Sequence, residues 1–346
     1  MRNRWIAGLV ALGMLGAVAP AAAADTCQLY QLGSVDMSQT EGAALAIPVS
    51  IEGIPTMMAI DTGSPLTAVD PDAAVNLHLI TKRIVQGVMF TSTGESFSEM
   101  ATMHAFDVGL LHAEGVKILV WPSKMWKDPN IAGTVGADLL RNYDVDLDID
   151  AKKFNLFSHD HCPGKVVYWP NSAVTVVPIR VVGSGHIIVP VVLDGQNMDA
   201  LLDTGAFGTI LSLETAEGTF GLHPNTPDLT PTGQFNGSVQ AYRHTFKSLQ
   251  LEGITIANPT VFIWDDQMKY GEQQHPNTGS RLSDVTEASG KTDLVIGMRE
   301  LRHLHIYIAY KEQKLYITAA TPPASPAVAA SGTPPATGTG AASPSK

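Results

Sequence analysis

Apolar and polar residues alternate in short runs along most of the chain, the period-two pattern of half-buried strands, and Gly, Pro, Asp and Asn break the runs at close intervals. Leu45 to Ile51 alternates in this way, Glu52-Gly53 with Pro55 marks a turn, and Thr56 to Ile60 runs into Asp61. Leu66 to Val69 predicts a further strand. Asp70-Pro71 then opens a short helix over Pro71 to Leu79, with Asp70 as its N-cap. Strands are expected at Arg83 to Phe90, Phe97 to Leu110 and Val116 to Trp121, the first two joined across the polar tip Thr91-Ser92-Thr93-Gly94-Glu95. Ile131 to Leu140 reads as an apolar strand passing through Gly136 into a short helix, and Val145 to Phe157 as a closing hairpin.

The pattern then starts again. Ile187 to Leu193 matches the first strand, with Pro190 in the place of Pro48, and Asp194-Gly195 matches the turn Glu52-Gly53. Met198 to Leu202 leads into Asp203, which stands 142 residues after Asp61. A short helix is expected over Leu213 to Phe220. A hairpin over Thr232 to Gln240 turns at Asn236-Gly237, and strands follow at Val239 to Leu251 and Ile254 to Trp264. Val295-Ile296-Gly297 repeats Thr134-Val135-Gly136, and His305 to Thr318 repeats the closing hairpin. This last correspondence has a wider offset, so the second half carries an insertion; Asp265 to Thr292, polar and patternless, reads as a long surface loop. Two long copies are not a solenoid. They predict an all-β molecule of two similar lobes facing each other across a cleft. The divisions are a leader over 1–24, a lead-in with little pattern over 25–42, a first lobe over 43–160, a junction over 161–184, a second lobe over 185–318 and a tail over 319–346. The tail is almost all Ala, Pro, Ser, Thr and Gly and cannot bury a core, which predicts disorder.

Composition adds limits. Of the 346 residues 45% are hydrophobic and 16% charged, enough for two modest cores. The formal charge of −11 argues against a nucleic-acid partner, which needs a basic surface. Arg2 and Arg4, the apolar run Trp5 to Val18 and the small residues Ala22-Ala23-Ala24 form an export signal, with an uncleaved anchor as the alternative. The expectation is an exported protein, periplasmic or secreted, with no stable membrane insertion after signal cleavage. The two cysteines, Cys27 and Cys162, suit a disulfide in an oxidising compartment, or else two separate small apolar side chains.

Each copy ends an apolar strand on aspartate and follows it with a tight-turn sequence: Asp61-Thr62-Gly63-Ser64 and Asp203-Thr204-Gly205-Ala206. One buried carboxylate is costly, whereas two that meet share a proton and activate water. With the later Thr134-Val135-Gly136 and Val295-Ile296-Gly297, these motifs resemble the aspartic proteases over about residues 43–318, with pepsin-like joining of both lobes in one chain and a retropepsin-like Asp-Thr-Gly-Ala variant. The resemblance implies a bilobal double-barrel fold with short helices and an active-site cleft between the lobes. It implies an aspartic endopeptidase acting on extended peptide or unfolded protein, without cofactor or metal, as a monomer. Asp61 and Asp203 are then the catalytic pair. Thr62 and Thr204 bond across the interface, Gly63 and Gly205 admit backbone N–H groups to the carboxylates, and Ser64, unlike Ala206, donates to its aspartate and makes Asp61 the ionised partner. Thr93, Gly94, Asn236 and Gly237 mark hairpin tips that are flap candidates. The alternative reading is an inactive exported peptide-binding module with the same fold.

Other constellations are weaker. His159-x-His161-Cys162 lacks a second cluster to complete a zinc site and reads as a solvated junction. His303 and His305 share one face of an extended segment. Asp144, Asp146, Asp148 and Asp150 alternate along a strand and read as a solvated edge, without the glycine of a calcium loop.

Overall fold

The two halves build sheets with the same strand order. The structure, a computed structural model, describes residues 28–40, 43–84, 95–169, 173–224, 226–235, 239–264, 292 and 294–319. The leader, Cys27 and with it the Cys27–Cys162 pairing, the tip residues Thr93, Gly94, Asn236 and Gly237, residues 265–291 of the long loop, and the tail from residue 320 lie outside the described residues. In the first lobe the central strands are Ala68–Val69, Ile131–Val135, Ile54–Ile60 and Leu45–Ile51, in that spatial order. Ile210–Ser212, Leu294–Ile296, Gln196–Leu202 and Ile187–Leu193 repeat the order in the second. The strand leading to each aspartate runs parallel to the strand of the later repeat, with Val135 beside Ile60 and Ile296 beside Leu202.

The prolines show why the pattern folds this way. Proline has no N–H and disrupts a central strand unless no partner needs that donor. On one side Leu45–Ile51 pairs only at its ends, with Ser38–Gln39 through Leu45 and Ala46 and with Phe106–Val108 through Ser50 and Ile51. Pro48 falls in the gap between them. Pro190 falls in the matching gap of Ile187–Leu193, between its contacts with Arg180–Val181 and with Ser248–Leu251. Each strand returns through a two-residue turn with positive φ at both positions, 52° and 77° at Glu52-Gly53 and 45° and 83° at Asp194-Gly195, the geometry that suits strand twist. The first turn residue is also an anchor: Glu52 accepts the N–H groups of His104 and Ala105, and Asp194 those of Lys247 and Ser248.

The predicted Phe97 to Leu110 strand is two, Glu99–Met103 and Phe106–Val108, which pair at different places in the sheet. The helix after Asp70 spans Pro71–Asn76, but the Asp70 carboxylate does not cap it. It accepts the N–H groups of Met125 (3.1 Å) and Trp126 (3.0 Å) instead. Ser212 does cap its helix, accepting the N–H of Thr215 at 3.1 Å. No helix among the described residues is long and apolar enough to cross a membrane.

A third sheet joins the halves. Its order is Gln31–Asp36, Lys153–Phe157, Asp144–Asp148, Leu304–Ala309, Lys314–Ala319 and Thr175–Pro178. The two closing hairpins therefore meet edge to edge, Val145 opposite Ile308. The lead-in, patternless in sequence, supplies the outer strand Gln31–Asp36.

This sheet overturns the solvated readings of its acidic and histidine residues. Asp144 and Asp146 are fully buried because Asp144–Asp148 is flanked on both edges and packed on both faces. Asp144 accepts the N–H of Tyr310 (3.0 Å), lies 2.5 Å from Nε2 of the buried His161 side chain and 3.4 Å from Nε2 of His159. Burial raises its pKa, and His161 and His159 oppose that rise. Asp146 bonds His305 Nε2 (2.7 Å), the Tyr168 hydroxyl (2.7 Å) and Asn155 Nδ2 (2.8 Å). His305 is buried and stacked on Trp169, whereas His303 is exposed in the preceding turn. Only Asp150 fits the expectation of a solvated position.

Removing a buried carboxylate that satisfies several donors leaves them unpaired, at a cost of about 3 kcal/mol. Asp144→Ala is expected to lower the urea-unfolding free energy by about that amount, while Asp150→Ala changes it by less than about 0.5 kcal/mol.

Candidate active site

Asp61 and Asp203 meet at the lobe interface. Each ends a central strand and is held there by its N–H, which donates to Val135 and Ile296 respectively, both at 3.0 Å. Each carboxylate then accepts two N–H groups from its own turn. Asp61 Oδ1 takes those of Gly63 and Ser64, both at 2.9 Å; Asp203 Oδ1 takes those of Gly205 (2.8 Å) and Ala206 (3.0 Å).

The glycines are there for close approach. A Cβ on Gly63 would stand 2.3 Å from Asp203 Cγ, and one on Gly205 2.3 Å from Asp61 Cγ, so each carboxylate lies over the other lobe's glycine. Gly136 and Gly297 serve the turns from behind, where a Cβ would stand within 2.6 Å of Leu66 and 2.4 Å of Gly208 backbone.

Two buried threonines lock the turns together. Thr62 Oγ1 donates to Leu202 O (2.6 Å) and accepts the Thr204 N–H (3.1 Å). Thr204 Oγ1 donates to Ile60 O (2.8 Å) and accepts the Thr62 N–H (3.1 Å). Every donor and acceptor of the four is satisfied across the interface, which is what burial demands.

Burial is the largest influence on both carboxyls and raises both above the ordinary value. For Asp61 the nearby charge of Asp203 and a hydrogen bond between the two carboxyls raise it further, to well above the usual range, against the Gly63 and Ser64 N–H groups. For Asp203 the rise is opposed by the Gly205 N–H, the bond with Asp61, the Ala206 N–H and the charge of His186. Burial and mutual repulsion therefore hold a proton on the pair.

The contact expected of the Ser64 side chain is not made. Its hydroxyl does not reach Asp61; it donates to the Leu66 carbonyl at 2.9 Å. Only its backbone N–H serves the carboxylate, as that of Ala206 does in the other lobe.

Sequence reasoning passed over a second ring of polar residues behind the turns. Thr67 donates both its N–H (2.9 Å) and its hydroxyl (2.8 Å) to Asp138, and accepts the Gly136 N–H (3.0 Å). Thr209 donates its hydroxyl to Glu300 and accepts the Gly297 N–H at 3.4 Å. Burial raises the pKa of both acids. The signal was present, since Thr67 and Thr209 stand at the same offset as the two aspartates, but isolated threonines carry no chemistry that singles them out. The strands Thr230–Phe235 and Val239–Thr245 do pair as the second predicted hairpin, and Thr81–Arg83 pairs with Glu99–Met103 at the base of the first. Among the described residues no group of His, Cys, Asp and Glu is placed to hold a metal ion.

The sequence matches the family described as "Aspartyl protease" over residues 47–139 and 189–299. These two segments contain both Asp-Thr-Gly turns and both later glycines. No curated protein matches it. Among solved structures it is similar to the aspartic proteinase from Irpex lacteus, at 13% identity over 83% of this chain and 97% of that one, with a TM-score of 0.48. A likeness of that degree adds nothing to what the family match carries.

The raised carboxyls carry a sign for stability. A native pKa above the unfolded value of about 3.8 means that folding takes up protons, so stability declines as pH rises from there through the native values. Asp61→Asn keeps the acceptor for Gly63 and Ser64 but removes the titratable group. By urea unfolding it is expected to be more stable than the parent by about 1 kcal/mol or more at pH 7, with the gain gone at pH 3.

Proposed function

The chain belongs to the aspartyl protease family, and we propose that it is an exported endopeptidase in which Asp61 and Asp203 activate one water molecule between them. The observation that carries the reading is the reciprocal threonine bonding that sets the two carboxyls within hydrogen-bonding reach. A protein that only bound peptides would have no use for two carboxyls whose proximity costs stability when both ionise.

The ionised carboxylate takes a proton from the water, and the water oxygen attacks the peptide carbonyl carbon. The protonated carboxyl hydrogen-bonds the carbonyl oxygen as negative charge develops on it. The tetrahedral intermediate breaks at its C–N bond as a proton passes to the leaving nitrogen, and the products are a carboxylic acid and an amine. Water enters as the only co-reactant, and no bond forms to the protein.

The substrate is an extended peptide or unfolded protein. The paired strands Thr230–Phe235 and Val239–Thr245 form a hairpin against which such a peptide can add as a further strand. Export follows from the leader over residues 1–24, and the Cys27–Cys162 bridge from the oxidising compartment that export implies. With both aspartates in one chain, a monomer suffices.

The mature chain is expected to cleave an unstructured protein, and Asp61→Asn and Asp203→Asn each to lower kcat/KM by roughly a thousandfold while remaining folded. Parent protein that binds unfolded protein without cutting it at any pH between 3 and 8 would replace the endopeptidase with the peptide-binding reading.

A further inference from the structure

The repeat gives both aspartates the same immediate surroundings: two turn N–H groups, the opposite glycine and the threonine lock. The Ser64 hydroxyl, the polar difference between the turns, is engaged by Leu66. A difference that does reach the pair comes from the neighbouring strand. The first lobe pairs Ala46 with Ala59, and continuing that register by two residues brings Ala44 opposite Asp61. The second pairs Ile188 with Leu201, and the same continuation brings His186 opposite Asp203. The ladders end at these pairs, and His186 lies just beyond, in the turn that leads into Ile187–Leu193.

His186 is buried, with 7% of its surface exposed. Its backbone is fixed by a tight turn in which Val182 N–H donates to His186 O (3.0 Å) and Gly185 N–H to Val182 O (2.7 Å). Gly185 has a φ of +89°, and a Cβ there would stand 2.9 Å from that of Ala137, so the turn is pressed onto the helix Ala137–Leu140 of the first lobe. Charged groups near this segment include Asp203 and Arg141, whose guanidinium donates to Gly183 O at 3.1 Å. A histidine gains its charge as pH falls through the neutral range, and the charge of His186 acts to lower the pKa of Asp203.

We propose that His186 is a positioning residue that, when protonated, keeps Asp203 the ionised member of the pair and leaves the shared proton on Asp61. Asp203 then takes the proton from water, and Asp61 hydrogen-bonds the carbonyl oxygen. The proposal rests on the endopeptidase reading above.

The test is the pH dependence of kcat/KM for cleavage of an unstructured protein by the parent, His186→Gln, His186→Ala (the residue the first lobe carries) and His186→Lys, with Ser64→Ala as a control. In the uncharged variants the acid limb, where the ionised partner takes up its proton, is expected to move up by about one pH unit. His186→Lys is expected to keep it at or below the parent position, and Ser64→Ala to leave it unmoved. If the parent cleaves and the Gln and Ala variants share its acid limb, even at reduced rate, the role of His186 is overturned and the endopeptidase reading stands. If the parent cleaves nothing, both fall.

Discussion

Thr62 and Thr204 each donate a hydroxyl to a carbonyl of the opposite lobe and accept an N–H from the opposite turn, and the geometry of the cleft follows from that exchange. Two flexible loops could not hold two carboxyls together against their mutual repulsion. A pair of buried turns bonded reciprocally across the interface can, because sliding one lobe past the other would break four buried hydrogen bonds. The glycines follow from the same constraint, since Gly63 and Gly205 occupy the space that any side chain would need and the opposite carboxylate already fills. The strands are in turn placed by the glycines behind, and the third sheet ties the two halves together beyond the threonine contact.

Symmetry solves the problem of bringing two aspartates together and creates another. Two identical carboxyls share a proton without preference, whereas water activation needs one to act as base and the other as hydrogen-bond donor. The immediate turns do not break the symmetry. His186 against Ala44 does, at one position one strand away, so the duplicated frame can stay intact while a single side chain assigns the roles.

The parts of the fold that arise from local chemistry were legible in the sequence. The strands before both aspartates, the turns Glu52-Gly53 and Asp194-Gly195 and the repeated Pro48 and Pro190 all announce themselves through alternation and backbone preference. What escaped was set by partners distant in the chain. Gln31–Asp36 is a strand only because Lys153–Phe157 offers it an edge. Asp144 and Asp146 look like solvated residues because alternating charge usually marks an exposed face, and their buried partners His161, Tyr310, His305 and Tyr168 lie in other segments. The two aspartates, threonines and glycines that the structure brings together all stand in the repeated Asp-Thr-Gly motif. The direction in which the Ser64 hydroxyl points was not legible, because it depends on a carbonyl two residues on. His186 was missed because only the strand register brings it opposite Asp203.

The most direct measurement is a site-resolved titration of the two carboxyls, by carbon-13 NMR of the labelled Asp61 and Asp203 side chains between pH 2 and 9. The account predicts two well-separated steps, with one carboxyl still protonated far above the ordinary aspartate range while its partner is ionised. Two carboxyls that ionise together near pH 3.8, as isolated aspartates do, would contradict it.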